Sequence, residues 1–364
     1  MNYMINGPNN AIRLTNNDKI LYIFGDVHLD ENMQTECPFN DEYDSIDLDM
    51  LLFKFMKNEK KREFDLFTEI YNTSLIPESN NTNRQKYIHK ISKLFKNNIN
   101  IINNKILTNR KYNNFRFHYF DIRNAFDVWY QIIDYHYIYF NFPYDEYACN
   151  NIKDITLTLL TNLINFKDYI KKDTENKILN KILNKYENKN IKKIINKIYK
   201  EIFIKQLSIL IKNSKELINL INIILDKSYN KIACNWHTAG KFIDIAKPIF
   251  IKFEDHKNDI MNLLTLLTDL FFIRRFLDKS YIKNGILYTG LAHFADITNL
   301  LTTYFDFKIT NVYYTNKLYQ NKLTKMKTNT FLYLNTLTQY YLQYDNNFKI
   351  NQCVNLLDFP ENFS

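Results

Sequence analysis

Two of the chain's five glycines close apolar runs, and each is followed three residues later by a histidine. The first run is Ile20-Leu21-Tyr22-Ile23-Phe24 before Gly25-Asp26-Val27-His28. The second is Ile286-Leu287-Tyr288-Thr289 before Gly290-Leu291-Ala292-His293. Runs of this length and composition read as buried strands. A glycine at the strand end permits a tight turn or the close approach of another group. In an open α/β sheet, polar groups at the carboxyl ends of parallel strands face one crevice. The two motifs therefore predict two strand ends that hold their histidines over a shared site.

The rest of the chain can support such a sheet. Its 364 residues are 46% apolar, with 27 Tyr and 28 Phe, enough for a sizeable core. Richness in Asn, Lys and Ile fits an AT-rich genome, such as that of a giant virus or an AT-rich protist. The net charge of +9 suits an anionic partner in principle. Lysines on a solvated surface are the preferred reading, and nucleic acid is not expected as a partner. Cys37, Cys149, Cys234 and Cys353 are far apart and form no CxxC pair. That argues against a zinc ribbon and for four free thiols in a reducing compartment. Neither a secretory signal nor a membrane-spanning run is read. The expected setting is the cytoplasm or, for a viral chain, the host cytoplasm or the virion.

Along the chain, residues 1–19 read as a polar arm. An acidic loop follows His28, with Asp30, Glu31, Glu36, Asp41, Glu42 and Asp44. Residues 47–60 read as a short amphipathic helix, 64–70 as a strand with Glu69 near its end, and 84–95 as a helix. A strand over 115–121 leads into Asp121-Ile122-Arg123 and a helix-like stretch to Tyr135. From about 164 the pattern becomes helical and basic. Ile191, Ile194, Ile195, Ile198 and Ile202 share one helix face, as do Ile178, Leu179, Ile182, Leu183 and Tyr186 upstream. Trp236, His237 and Gly240 read as a turn-rich region before helices over 243–276. After the Gly290 strand, a helix over 294–304 and a strand over 307–313 make a βαβ unit. The expected fold is α/β, with a mainly parallel central sheet flanked by helices. A basic helical insertion at 164–280 would lie between core segments 1–163 and 281–364.

Four strand-end segments carry chemistry: Asp26 with His28, Glu69, Asp121 with Arg123, and His293. Asp26, His28, Glu69 and His293 form a plausible ligand set for one divalent metal (Zn, Mn or Co) that would activate water. The same groups also support a metal-free site. One histidine would be the general base, Glu69 would orient it, and Arg123 would stabilise the oxyanion. Each residue also has an ordinary structural role open to it: Glu69 pairing with a lysine, Asp121 and Arg123 as an ion pair. His89, His118, His136, His237 and His256 have no comparable setting and are read as structural. Cys37 is read as a free thiol.

The order Gly25-x-x-His28, Glu69, Arg123, Gly290-x-x-His293 resembles the superfamily of the erythromycin esterases, the haem-uptake ChaN proteins and the TraB/Tiki proteases. Ile297 and Leu300 resemble the apolar helix positions after its second histidine. The resemblance implies an α/β fold and hydrolysis of an ester, lactone or peptide bond, with a small-molecule or peptide substrate. Asp26 stands where Glu or Thr is more usual, and the basic helical middle is not part of the pattern. A second resemblance, to the calcineurin-like metallophosphoesterases, rests on Gly25-Asp26-Val27-His28 as their first metal motif. Their later Gly-Asp and Gly-Asn-His motifs have no counterpart here. Beside these enzymatic readings stands a non-enzymatic one: a virus-type binding or structural protein on a degenerate hydrolase scaffold.

Overall fold

A computed structural model describes residues 1, 3–37, 44–70, 86–96, 99–102, 105–108, 112, 114–126, 161, 164–165, 177–228, 236–315, 317–326 and 349–364. The chain divides into two compact units, Met1–Asp121 with Phe271–Ser364, and Ile122–Leu270. The second unit thus spans 122–270 where the sequence suggested 164–280.

In the first unit the strands run β1 (Tyr3–Asn6), β2 (Asn10–Asn16), β3 (Lys19–Asp26), β4 (Gln34–Thr35), β5 (Asp44–Asp47) and β6 (Phe64–Thr68). They continue with β7 (Ile99–Ile102), β8 (Lys105–Thr108), β9 (Phe115–Tyr119), β10 (Asn284–Gly290), β11 (Lys308–Tyr314), β12 (Ile350–Asn351) and β13 (Cys353–Asn355). Helices α1 (Leu48–Asn58) and α2 (Tyr87–Lys96) lie in the amino-terminal part. The central sheet has the order β11-β2-β3-β10-β6-β9. β3, β10, β6 and β9 are mutually parallel, and β2 runs against both β3 and β11. The fold is therefore α/β with a mostly parallel sheet, as the apolar runs predicted. The polar arm expected over 1–19 is instead β1 and β2. In β2 the buried Ala11, Ile12 and Leu14 outweigh the flanking asparagines.

Period-two alternation assigns the two faces of the sheet. Tyr22, Phe24, Phe64, Leu66, Phe115, Phe117, Ile286 and Tyr288 join one core with Leu48, Leu51, Leu52 and Phe55 of α1 and Tyr87, Ile88 and Ile91 of α2. The opposite face is covered by α7 (Leu291–Tyr304) and by the last turns of α6 (Trp236–Asp278). There Phe67 meets Phe272 edge-on at 5.0 Å. A Cβ on Gly25 would lie 2.9 Å from Leu291 and 3.0 Å from Phe294. The glycine therefore lets α7 settle directly on β3. Strand β10, α7 and β11 form the expected βαβ unit, with β11 beyond β2 at the sheet edge.

The second unit holds α3 (Lys177–Asn184), α4 (Lys189–Ile198), a π-helical turn (Tyr199–Phe203), α5 (Ile204–Ser228) and α6 up to Leu270. Asn188 opens α4, its side chain accepting the N–H groups of Asn190 and Ile191. Leu179, Ile182, Ile195 and Ile198 are buried, as the isoleucine periodicity required. Asn213 donates to Asp259 at 2.9 Å, and buried Ser214 lies 2.7 Å from His256. Trp236, His237 and Gly240 sit in α6, not in a turn-rich segment. The expectations at Asp41, Glu42, His136, Cys149, Cys234 and most of 126–135 fall outside the described residues.

The four-thiol expectation is corrected. Cys37 and Cys353 form a disulfide with Cα atoms 5.0 Å apart. The bond joins the loop after His28 to β13, beside the short parallel pair of β4 and β12. A sequence separation of 316 hides such a pairing from any reading of cysteine spacing.

Candidate functional site

The two glycine motifs end side by side. Asp26 and Gly290 are register partners at the ends of β3 and β10, and Tyr288 pairs with Thr68 at the end of β6. Glu69, the residue after β6, anchors its backbone N–H on the carbonyl of Tyr288. Three adjacent parallel strands thus deliver Asp26, Glu69 and Gly290 to one edge. His28 follows two residues after Asp26, and His293 lies in the first turn of α7.

Glu69 is the hub. Its Oε1 lies 3.2 Å from Nε2 of His293, and its Oε2 lies 3.2 Å from Nε2 of His28. Oε2 also accepts from Thr289 Oγ1 at 3.0 Å and from the backbone N–H of Gly290 at 2.6 Å. The carboxylate is 6% exposed and His293 is 3% exposed. Burial alone would raise the Glu69 pKa. The charge of His293 and hydrogen bonds from both histidines outweigh it and hold the group well below 4.5. An ionised Glu69 requires both facing nitrogens to carry protons.

His28 is clamped from both sides, its Nδ1 lying 3.1 Å from Oδ2 of Asp26. Burial opposes its charge, but hydrogen bonds and charges from Asp26 and Glu69 prevail and raise its pKa to about 9. At neutral pH it is an imidazolium donating to two carboxylates. Its φ of +55° is in the left-handed region, a conformation a non-glycine residue holds only when its surroundings impose it. A quarter of its side chain reaches solvent, against 6% for Glu69, 3% for His293 and none for Asp26.

Asp26 is fully buried. Its Oδ2 also accepts from Tyr288 Oη at 2.6 Å, and its Oδ1 from Gln352 Nε2 at 2.6 Å. Gln352 further donates to Asn9 Oδ1 at 2.8 Å. Tyr288 and Gln352 escaped the sequence reading. Tyr288 lies two residues before Gly290, and strand parity aims it to the same face as Asp26 in the neighbouring strand. That parity was the available signal. Gln352 carries no such mark.

The structure thus brings together Asp26, His28, Glu69 and His293. Asp121 is buried just after β9. Arg123 lies in a short 3-10 turn, Arg123–Ala125, at the start of the second unit. His118, read as structural, accepts from Arg275 at Nδ1 and faces Asp65 Oδ1 at 2.6 Å on the α6 side of the sheet. Among the described residues no group of three or more His, Cys, Asp or Glu is arranged to hold a metal ion. None of the described helices is long and apolar enough to cross a membrane.

Known proteins offer relatives without an assigned activity. Uncharacterized proteins R706 and R160 of Acanthamoeba polyphaga mimivirus are 27% and 28% identical to this chain. Each alignment spans 99% of this chain and 97% of the relative. Uncharacterized protein R161 of the same virus is 26% identical over 99% of this chain and 98% of its own length. No solved structure matches. A model described as a family of unknown function (DUF5847) matches residues 3–177 and 150–364. The matches span nearly the whole sequence, and the chain belongs to that family.

Proposed function

We propose that this protein is a hydrolase of ester, lactone or peptide bonds whose reaction takes place at the strand-end cluster. One observation carries the reading: the histidines of both Gly-x-x-His motifs converge on the two oxygens of Glu69. Glu69 orients both rings and keeps their Nε2 atoms protonated. With Nε2–H kept on Glu69, loss of the other proton of His293 leaves Nδ1 as the base that activates water. His28, charged below pH 9 and the more exposed ring, stabilises the developing oxyanion by its positive charge, and His293 returns to the leaving group the proton it took from water.

The metal-assisted form of the proposal asks His28 Nε2, Glu69 and His293 Nε2 to exchange their hydrogen bonds for one divalent ion, with Asp26 holding His28 from behind. Such an ion would supply a water of lowered pKa. The metal-free form fits the observed contacts more directly, because the candidate donors already satisfy one another.

A panel of p-nitrophenyl esters, lactones and peptides tests the reading, together with elemental analysis of the purified protein. Glu69→Gln and His293→Ala should each lower hydrolysis by at least about a hundredfold, the scale of losing a positioned base, in a folded protein. Absence of hydrolysis across the panel, or full rates in His293→Ala, would sink it. A second reading, a non-enzymatic scaffold in which the cluster staples three strand ends, is favoured by the near-complete burial of Glu69 and His293. It predicts unfolding of both variants and no turnover by the parent protein.

A further inference from the structure

The chain's charge is not spread evenly. Residues 177–216 contain eleven lysines and three glutamates, a net of +8 against +9 for all 364 residues. The remainder is close to neutral. Lys181, Lys185, Lys189, Lys193 and Lys197 recur at every fourth residue, and Lys200 follows. All six are exposed. At 1.5 Å per residue, Lys189 to Lys200 covers about 17 Å of helical rise. One of the three glutamates, Glu216, lies 3.8 Å from Lys212 and 3.6 Å from Lys252.

Like charges one turn apart repel, so a solvated helix usually interleaves them with carboxylates. Here the isoleucine face is spent on the unit's own core, with Leu179, Ile182, Ile195 and Ile198 buried. A helix that binds a lipid surface lays that apolar face into the acyl boundary. With it already buried, the lysines reach a partner by charge alone. The chemistry that meets such a row is a continuous chain of phosphates.

We propose that the exposed lysines of α3, α4 and the π-helical turn after α4 bind the phosphodiester backbone of nucleic acid without reading its bases. Concentrating the charge on one short segment reverses the expectation drawn from whole-chain composition. The proposal is independent of the hydrolase reading.

The test uses the full chain and fluorescence anisotropy with a labelled oligothymidylate and a duplex of equal length, across a salt series. Binding should weaken linearly in log salt. A Lys181→Gln/Lys189→Gln/Lys193→Gln/Lys200→Gln variant should bind at least about tenfold more weakly and flatten the single-strand slope by about 3, as the loss of four phosphate contacts predicts. The matched control Lys308→Gln/Lys317→Gln/Lys322→Gln/Lys325→Gln removes equal charge from the first unit and should bind as the parent does. Circular dichroism checks that both variants fold. Absence of oligonucleotide binding at low salt overturns the proposal. Equal losses in the two variants, or binding to phosphatidylserine vesicles but not to oligonucleotides, do the same.

Discussion

The backbone N–H of Gly290 donates to Oε2 of Glu69 at 2.6 Å, and a Cβ at position 290 would stand 3.1 Å from that oxygen and 3.3 Å from Nε2 of His28. The φ of Gly290 is −65°, which any residue can adopt. The glycine is required by crowding, not by backbone conformation. Glu69 cannot retreat without loosening its bonds to Thr289, His28 and His293. Gly290→Ala should therefore cost about 1–3 kcal/mol, in the range of overpacking. It should also lower the His28 titration midpoint by displacing one of its two carboxylates. Thermal melts and NMR titration of the imidazole check both. An unchanged melt and midpoint would mean that Glu69 is not confined as described.

The ionic network fixes a pH window. The folded pKa of His28, about 9, is above its ordinary 6.5. Its stabilisation is therefore complete below 6.5 and is lost as pH rises towards 9. Glu69 lies below its ordinary 4.5, so its contribution is present above 4.5 and is lost as pH falls through the folded value. The network contributes fully between 4.5 and 6.5. Melting temperature should fall from pH 6.5 to 9 in the parent protein, and His28→Gln should flatten that limb. A parent curve that is level across the limb would contradict the charged state assigned to His28.

The Cys37–Cys353 disulfide closes a very long loop, and its removal should cost about 2–5 kcal/mol. Gln352, adjacent to Cys353, donates to Asp26, so the link also steadies the wall behind His28. Peptide mapping without reductant should recover the two cysteines in one linked species. Reductant or Cys353→Ser should lower the melting temperature. Complete alkylation of both cysteines before reduction would show that the bond is absent.

The sheet and both histidines of the cluster were legible in the sequence because they combine two local signals, an apolar run and a glycine–histidine spacing. Glu69 was visible only as the polar end of a strand, and register with β10 is what aims it at both histidines. Strands β1 and β2 were missed because their asparagines read as loop. In the structure Asn9, just before β2, is buried and engages Asn351 and Gln352 from the far end of the chain. Gln352 and the disulfide depend on contacts across more than 300 residues, which no local pattern encodes.

Tyr288 separates the two carboxylates' effects on His28. Its hydroxyl donates to Asp26 Oδ2, the oxygen that faces Nδ1 of His28. Burial, with the nearby charge of Asp26, pushes its own pKa well above 10, so it remains a donor throughout the working range. Tyr288→Phe keeps the ring and removes the donor. With a buried hydrogen bond to a charged group lost, stability should fall by about 1–3 kcal/mol. Asp26, no longer sharing its charge with the tyrosine, should hold the His28 proton more firmly, so the imidazole midpoint should rise. Gly290→Ala shifts it the other way. NMR titration of the two variants side by side reads this opposition directly. A fall of the midpoint in Tyr288→Phe would mean that the tyrosine positions Asp26 against His28, not that it competes with His28 for the carboxylate.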